Sequence, residues 1–443
     1  MLPRAKVIIV DDNEDELKKL AEAFHYSGIP CLPLQYESRD RVKRYGIEKS
    51  TDIRWLFIDL HLEPDSGSDT AQLVGPIKEV ISHLIKGGIY SLVFWSKHTD
   101  KVNAVIERIK RDEDLSNNIP APLNYACIDK NDFIDDAMRL KEKLKDTLLD
   151  NKLVSSMLRW ENAVANASSN ILTKVHQLAG NNTQWDMESK NENIKHIISL
   201  LAHEASGYKV ARENANISLN KGLFSLVEDD YSNLTKKDIW SDFEFSSNGQ
   251  LRKVPSDTKV KLNTYILTEE ISLNKNGDAL YEKGVISFFD RKNENIKSLL
   301  GSVDLDTIIR EEFTVVTQKV KLSDVILGVI EISPDCDHAN KKIKMHRFIL
   351  TALVPTELFT DECWVAINKS QHEGVFKEIP DILYKDKKYK VFLSFKYIIS
   401  IPSLDENKSM FGLEALRLKD DILIKIRTEM ARYISRPGYT AIH

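Results

Sequence analysis

The chain has 443 residues, of which 42% are hydrophobic and 29% charged, and its formal net charge is -5. That is more residues than one hydrophobic core usually organises, so we expect two or three domains. The charge balance gives no reason to expect a nucleic-acid partner. No apolar stretch approaches the roughly 20 residues that span a bilayer, and the first ten residues lack the apolar core of a signal peptide.

The cysteines are few and far apart in the sequence: Cys31, Cys127, Cys336 and Cys363. They form neither a disulfide framework nor a CxxC metal pair. The sequence therefore predicts a cytoplasmic protein with reduced thiols, and neither a membrane nor a nucleic acid as partner.

Polar residues follow four short apolar runs in the first third of the chain. Asp11 and Asp12 end KVIIV, Asp59 follows WLFI, Ser96 ends YSLVFW, and Lys130 follows NYACID. Short apolar runs bounded by polar residues are typical of strands buried on both faces of a parallel sheet. The carboxyl ends of such strands meet at one edge, where open α/β sheets place their ligands.

Helical patterns alternate with these runs. After KVIIV, apolar residues recur at helical spacing up to about residue 26, and further helices are expected near 70–86, 99–112 and 132–149. CLPLQY supplies a fifth strand, whereas the charged region 38–52 is ambiguous. Five strands alternating with five helices predict a doubly wound α/β domain with a parallel five-stranded sheet over residues 1–148.

The ordered set Asp11, Asp12, Asp59, Ser96 and Lys130 resembles that of the receiver domain of two-component response regulators, the CheY-like family. The resemblance covers about the first third of the chain. It implies that Asp11 and Asp12 hold a Mg2+ ion and that Asp59 attacks phosphorus while also touching the metal.

The resemblance also assigns supporting roles. The backbone carbonyl of His61 would be a further metal ligand, Lys130 would pair with the phosphoryl oxygens, and the Ser96 hydroxyl would bind the aspartyl phosphate and move its loop. Each residue alone has an ordinary alternative, since strand-end acids often cap helices or turns and strand-end lysines are usually solvated. The order and spacing of the whole set favour the receiver interpretation.

Three positions depart from the family pattern. Lys97 stands where the family usually has a small residue after the switch hydroxyl, here Ser96, and Asn131 stands where proline usually follows the lysine, here Lys130. Cys127 stands where the family often has an aromatic ring whose orientation reports phosphorylation. Lys97 could attract phosphate, or its bulk could hinder attacking water and lengthen the life of the phosphorylated state. We therefore expect that signalling does not use the common receiver dimer face.

Residues 149–245 carry apolar stripes at helical spacing, broken at Gly180, and predict a helical bundle segment through which a homodimer could form. His203 followed by Glu204 is similar to a phosphotransfer histidine. The rest of that motif is missing, so a surface histidine is favoured. No basic helix-turn-helix follows, and DNA-binding output is not expected.

Residues 246–443 are predicted to form a β-rich domain of α+β type. Strands are expected in KVKLNTYILTEEISL, around an NGD hairpin turn, and in VISFFD, VILGVIEIS, HRFILTALV, CWVAIN and YKVFLSFKYIISI. We expect these strands to form a small barrel or a mixed sheet. A closing helix is predicted over ALRLKDDILIKIRTEMARYIS, followed by Arg436-Pro437-Gly438.

The loop SPDCDHANKK in that domain carries Asp335, Cys336, Asp337 and His338, with His346 and Cys363 downstream. These are metal-ligand residue types, but consecutive side chains diverge and the spacing is not that of a zinc ribbon. Turn chemistry from Pro, Asp and Asn explains the loop equally well and is favoured. The alternative is a hydrolase or nuclease gated by the receiver, with the first four residues catalytic.

The sequence thus predicts a receiver protein that accepts a phosphoryl group from a sensor histidine kinase on Asp59. Two roles stay open: a phosphate sink or buffer, and a regulator whose later modules bind a downstream effector protein. The general plan resembles output-less receivers of antiviral, Detocs-type two-component systems, which is an analogy of architecture.

Overall fold

A computed structural model describes most of the chain: residues 5–37, 48–63, 70–111, 119–133, 136–149, 151–180, 187–234, 239–240, 246–269, 271, 278–313, 322–339, 342–358, 374–404, 410–412 and 414–435. The chain divides into two compact units, Met1–Asn170 with Asp229–Glu244, and Ile171–Glu228 with Phe245–His443. The proposed domain boundaries at 148 and 245 stay a prediction, because compactness alone does not show which segments fold independently.

The first unit contains a parallel five-stranded sheet. Its strands are β1 (Val7–Asp11), β2 (Cys31–Gln35), β3 (Trp55–Ile58), β4 (Ser91–Ser96) and β5 (Asn124–Asp129). They lie in the order β2-β1-β3-β4-β5, and each described pair is parallel. The predicted Rossmann-like parallel sheet is confirmed, and its strand order is receiver-like in plan.

Helices cover both faces of this sheet because successive side chains of a buried strand point to opposite faces. Ile8 and Val10 of β1 pack into the core beneath α2 (Thr70–Leu84) and α3 (Val102–Arg111). Val7 and Ile9 pack into the opposite core, beneath α1 (Glu14–Tyr26) and α5 (Ala137–Leu149), and the short α4 (Lys130–Phe133) begins directly after β5. Between β2 and β3, residues 48–54 form no helix, and 38–47 lie outside the described residues.

The predicted helical segment is confirmed. It contains α6 (Lys152–Leu178), α7 (Met187–Ser206), α8 (Tyr208–Glu213) and α9 (Ala215–Leu234). Among the described residues, no helix is both long and apolar enough to cross a membrane.

One carboxylate of α6 holds the start of that helix to the first unit. Glu161 forms ion pairs with Arg54 and Lys6, at nitrogen-oxygen distances of 3.0 Å to each. Lys6 and Arg54 immediately precede β1 and β3, so this contact lies at the amino edge of the sheet.

The second unit contains an antiparallel sheet of eight strands. They are β6 (Thr268–Glu269), β7 (Val285–Phe288), β8 (Ile326–Glu331), β9 (Met345–Pro355), β10 (Val375–Phe376), β11 (Ile382–Tyr384), β12 (Lys387–Pro402) and β13 (Ala415–Leu418). The order is β10-β12-β9-β8-β7-β13-β6, with β11 paired to β12. Every described pair is antiparallel and the path is open, so the expectation of a barrel or mixed sheet is wrong for these strands.

The remaining helical elements of this unit are short, apart from two. The described α-helices are α10 (Asn248–Arg252), α11 (Ser256–Leu267), α12 (Glu294–Leu299), α13 (Leu305–Ile308) continuing into a π-helical turn (Ile309–Phe313), α14 (Asp335–Ala339) and α15 (Asp420–Ile434). Single 3₁₀ turns lie at Asp278–Tyr281, Leu322–Asp324 and Thr356–Leu358. CWVAIN, the Arg436-Pro437-Gly438 end and the first two residues of the NGD turn lie outside the described residues.

Two secondary-structure predictions were wrong. The alternation of apolar and polar residues in KVKLNTYIL predicts a strand, but this segment lies in α11, where Val260 is buried while Tyr265 and Ile266 are exposed. Contacts of the helix with the β11 segment outweigh the alternating pattern of this sequence. The side-chain amide of Asn263 donates to the Asp381 carbonyl, and the backbone amide of Leu383 donates to the Thr264 hydroxyl. ALRL, predicted as the start of the closing helix, forms β13 instead, because it pairs with β7.

Candidate functional site

The strongest candidate site lies at the carboxyl edge of the parallel sheet, around the Lys130 ammonium. Its Nζ atom is 2.7 Å from Asp11 Oδ2, 2.7 Å from Glu16 Oε2 and 2.9 Å from Asp59 Oδ2. The side chains of Lys130 and Asp11 are 1% and 0% exposed. The structure therefore brings three of the predicted residues, Asp11, Asp59 and Lys130, into direct contact.

Glu16 was not predicted as a site residue. It stands in the first turn of α1, where Asn13 caps the helix by accepting from the amides of Asp15 and Glu16. In that position a glutamate often reaches back to the cap amide, but the Asn13 amide instead donates to Asp11 Oδ1. Glu16 is thus free of the cap and bridges two cations, Lys130 and Lys97, the latter at 2.6 Å.

Burial and charge set the protonation of these groups. Burial raises the pKa of Asp11 to about 7, and the nearby Asp59 charge acts in the same direction while Lys130 opposes it. Burial also raises the pKa of Asp12, again assisted by Asp59. Burial opposes the charge of Lys130, but the attraction of Asp59 and Asp11 outweighs it, so the pKa of Lys130 lies above its usual value. For Glu16 the hydrogen bonds from Lys130 and Lys97 outweigh burial and lower the pKa.

The other predicted residues surround this centre. Asp12 is half-buried, and Ser96 is buried at the end of β4 with its hydroxyl accepting from the His98 amide at 3.3 Å. The amide of Leu60 donates to Asp59 Oδ1 at 2.6 Å, which fixes that carboxylate. The His61 ring lies 4.5 Å from the His98 ring between centroids, and burial lowers the pKa of His61. The predicted role of the His61 carbonyl stays a prediction.

The donor set suits a hard divalent cation. Asp11, Glu16 and Asp59 each offer a carboxylate oxygen, and these oxygens lie within 4.8 Å of one another. Carboxylate oxygens are the ligands that Mg2+ and Ca2+ prefer. The buried acidic cluster could therefore bind a metal ion, and it includes two of the predicted ligands.

The second set of candidates divides in the structure. Asp335 pairs with Arg427 at 2.6 Å and with Lys283 at 3.1 Å, and Cys336 is exposed beside Asp337. His338 turns away from them and contacts Glu331, 2.7 Å away. The downstream His346 contacts the same carboxylate, whereas Cys363 lies outside the described residues. Glu331 was missed, although, like Asp59, it is an acid at the end of an apolar run.

Comparisons with known proteins add little to this geometry. No protein-family model matches the chain, and no curated protein matches it. Among solved structures, a de novo designed Rossmann 2x3 fold protein solved by solution NMR is similar at 13% identity, with a TM-score of 0.19. The match covers 33% of this chain and 92% of that one, and at this TM-score it carries no argument about function.

Proposed function

We propose that the first unit is a receiver-type phosphoryl acceptor, in which Asp59 becomes phosphorylated. The observation that carries this proposal is the buried Lys130 ammonium, held by Asp11, Glu16 and Asp59 at the carboxyl edge of the sheet. A carboxylate attacks a phosphoryl group effectively only where the developing negative charge is neutralised. A fixed cation beside the attacking oxygen supports that chemistry.

The reaction would proceed by in-line displacement. A carboxylate oxygen of Asp59 forms a bond to phosphorus while the bond from phosphorus to the donor nitrogen or oxygen breaks, and the leaving group keeps the electron pair. Lys130 would turn from the carboxylates toward the phosphoryl oxygens and offset their charge. Asp11, Asp12 and Asp59 would hold the Mg2+ ion, which would supply further neutralisation of the phosphoryl oxygens.

The Ser96 hydroxyl would donate to the phosphorylated Asp59 side chain. Its present contact with the His98 amide is long at 3.3 Å, so little is lost when the hydroxyl reorients. A shift of this loop would convert a local charge into a change of shape. A sensor histidine kinase is the proposed donor, and a phosphate sink or a regulator of an effector protein are the proposed roles.

The test measures intact-protein mass after incubation with Mg2+ and a small donor. Acetyl phosphate provides an O–P bond, and phosphoramidate provides the N–P bond of a phosphohistidine. Wild type and the control Asp52→Asn, an exposed acid outside the site, should gain one phosphoryl mass, and Asp59→Asn or a chelator should abolish the gain. The proposal would be contradicted if Asp59→Asn gained the phosphoryl mass, or if neither donor phosphorylated any of the proteins.

The decay of that adduct separates the two roles. A sink should release phosphate quickly, whereas a regulator requires a lasting adduct. Lys97 is held near the centre by Glu16, so its bulk should shield the aspartyl phosphate from water. We expect Lys97→Ala to shorten the lifetime of the adduct, measured as the rate of mass loss after the donor is removed. An unchanged rate would remove this role from Lys97.

A further inference from the structure

A buried carboxylate in the second unit is shared by two histidines. Glu331 is the last residue of β8 and is fully buried. Its Oε2 atom lies 2.7 Å from His338 Nε2, and its Oε1 atom lies 3.2 Å from His346 Nδ1. One ligand atom from each of the three residues lies within 4.8 Å of the other two.

Two of these contacts, each made by a different oxygen of the Glu331 carboxylate, are close to the ligand separations of a tetrahedral metal site. Zinc binds histidine nitrogen and carboxylate oxygen at about 2.0–2.2 Å, which places two ligands of a tetrahedron roughly 3.3–3.5 Å apart. The contact of Glu331 with His346 is already near that separation, and the contact with His338 needs to widen by less than about 1 Å. His338 stands on the short helix α14 and is 19% exposed, so the cluster has access to solvent.

The groups around the cluster are those that orient metal ligands. The second ring nitrogen of His346, Nε2, lies 3.2 Å from the Ser403 hydroxyl, and the Ser333 amide donates to Glu331 Oε2 at 3.1 Å. The ring of Tyr281 stacks on His346 with centroids 4.5 Å apart and planes inclined by 19°. Hydrogen bonds to the second ring nitrogen and to the ligating carboxylate fix the ligands of metal sites in this way.

Among the described residues, the Glu331 side chain contacts His338, His346 and the Ser333 amide. Lys283 and Arg427 both pair with Asp335, and Arg427 also donates to the carbonyls of Ile332 and Ser333. A buried carboxylate needs a compensating charge. Two imidazoles direct ring nitrogens at that carboxylate, and a metal ion bound among the three residues would supply the compensating charge.

We propose that Glu331, His338 and His346 form a binding site for Zn2+. Two imidazoles and one carboxylate leave the fourth tetrahedral position open to water or to another ligand, on the side where His338 meets solvent. A hard cation such as Mg2+ would not select two imidazoles, whereas imidazole suits zinc and related transition metals. This site is chemically distinct from the carboxylate cluster of the first unit.

The position of His338 depends on a glycine in the helical segment of the same unit. Gly207 has a φ of +80°, and a Cβ atom there would lie 2.8 Å from the Ala339 carbonyl at the end of α14. The backbone at the end of helix α14 therefore packs directly against the backbone of Gly207. That contact explains how a five-residue helix can hold a metal ligand in place.

The experiment uses the full chain, stripped with a chelator and loaded with Zn2+ in excess Mg2+ so that the carboxylate cluster is occupied by Mg2+. Bound zinc is measured by elemental analysis after gel filtration, and affinity by competition with a chromogenic chelator. The variants are Glu331→Gln, His338→Ala and Ser403→Ala, with His196→Ala, an exposed histidine of α7, as the matched control. Cobalt loading adds a visible absorption spectrum that reports coordination by nitrogen and oxygen.

We expect one zinc per chain in wild type and in His196→Ala. Affinity should fall on the order of 10–100-fold for the outer-sphere variant Ser403→Ala, and further for His338→Ala, whose cobalt spectrum should also change. Because His338 is partly exposed, this variant should fold even where Glu331→Gln does not, as checked by circular dichroism. Wild type without zinc, or equal zinc binding by folded His338→Ala, would overturn the proposal and leave a proton-bridged structural cluster.

Discussion

Replacement of Lys130 by methionine is the sharpest test of the charged centre in the first unit. The substitution keeps an apolar stem of similar length but removes an ammonium that contacts three carboxylates at 2.7–2.9 Å. Asp11 and Asp59 would then face each other with their oxygens within 4.8 Å. At an effective dielectric constant near 20 their repulsion is at least about 3 kcal/mol, in line with the ~3–5 kcal/mol cost of breaking a buried ion pair.

That cost should depend on pH. Burial already raises the pKa of Asp11 to about 7, so the folded protein takes up a proton there that the unfolded chain, with an ordinary carboxyl pKa of 3.8, does not. The contribution of this proton to stability is fully present below about pH 4 and is lost as the pH rises through 7. The loss in Lys130→Met should therefore be large at pH 8 and smaller at pH 6, where the proton replaces the missing cation.

Hydrogen exchange of the β1 amides, followed by mass spectrometry without Mg2+, measures the free energy of opening this unit alone. Global unfolding is less suitable because a chain with two compact units need not unfold in one step. The control is Lys110→Met, whose exposed ion pair with Glu107 should contribute nothing measurable. A cost below about 1 kcal/mol for Lys130→Met, or a cost independent of pH, would refute the electrostatic argument. Mg2+ at 100 times its dissociation constant should restore about 2.7 kcal/mol.

Three other predictions test separate parts of the chain. Burial, with a smaller effect of Asp129, raises the pKa of the Cys127 thiol to about 11. At pH 8 a thiol reagent should therefore label the exposed Cys336 well before Cys127, and the labelling rate of Cys127 should rise about tenfold per pH unit. Equal labelling rates of the two cysteines, measured by peptide mapping, would contradict the burial of Cys127. Glu161→Gln should weaken the contacts of α6 with Lys6 and Arg54 by about 1 kcal/mol, which should speed hydrogen exchange in the first turns of α6. Unchanged exchange would show that these ion pairs contribute little. Gly207→Ala should destabilise the second unit by roughly 1–3 kcal/mol through strain. Gly249→Ala in α10, where an added Cβ would meet only the Ser247 hydroxyl at an ordinary 3.9 Å, should be neutral or stabilising. A lower thermal unfolding temperature for Gly249→Ala than for Gly207→Ala would contradict the close approach at Gly207.

The sequence was most informative where a short apolar run ended in a polar residue. Asp11, Asp59 and Lys130 could be placed together because parallel strands bring their carboxyl ends to one edge, and the structure confirms this. Glu16 could not be found in the same way. Its contact with Lys130 spans 114 residues of sequence, and on the surface of an amphipathic helix it looks like any solvated glutamate.

The second unit shows the limits of the same reasoning. An acid at the end of β8 is visible in the sequence, and His338 and His346 were considered as ligands, but nothing local shows that all three converge. They come together through contacts between segments far apart in the sequence, such as the one in which the Ser333 hydroxyl accepts from the Arg347 amide of β9. Alternation likewise predicted a strand in α11, because hydrophobic period alone cannot weigh tertiary contacts that favour a helix.

The contact of Glu161 with Lys6 and Arg54 has a consequence for how this architecture can vary. It lies at the amino edge of the sheet, whereas the acidic centre lies at the carboxyl edge, and a five-residue strand such as β1 separates the two by roughly 16 Å. The anchor of α6 and the charged chemistry therefore share no side chain. Substitutions around the Glu161 ion pairs can therefore accumulate at the amino edge while selection preserves the distances among the acidic residues at the carboxyl edge. The attachment of α6 and the chemistry of the acidic centre can evolve independently.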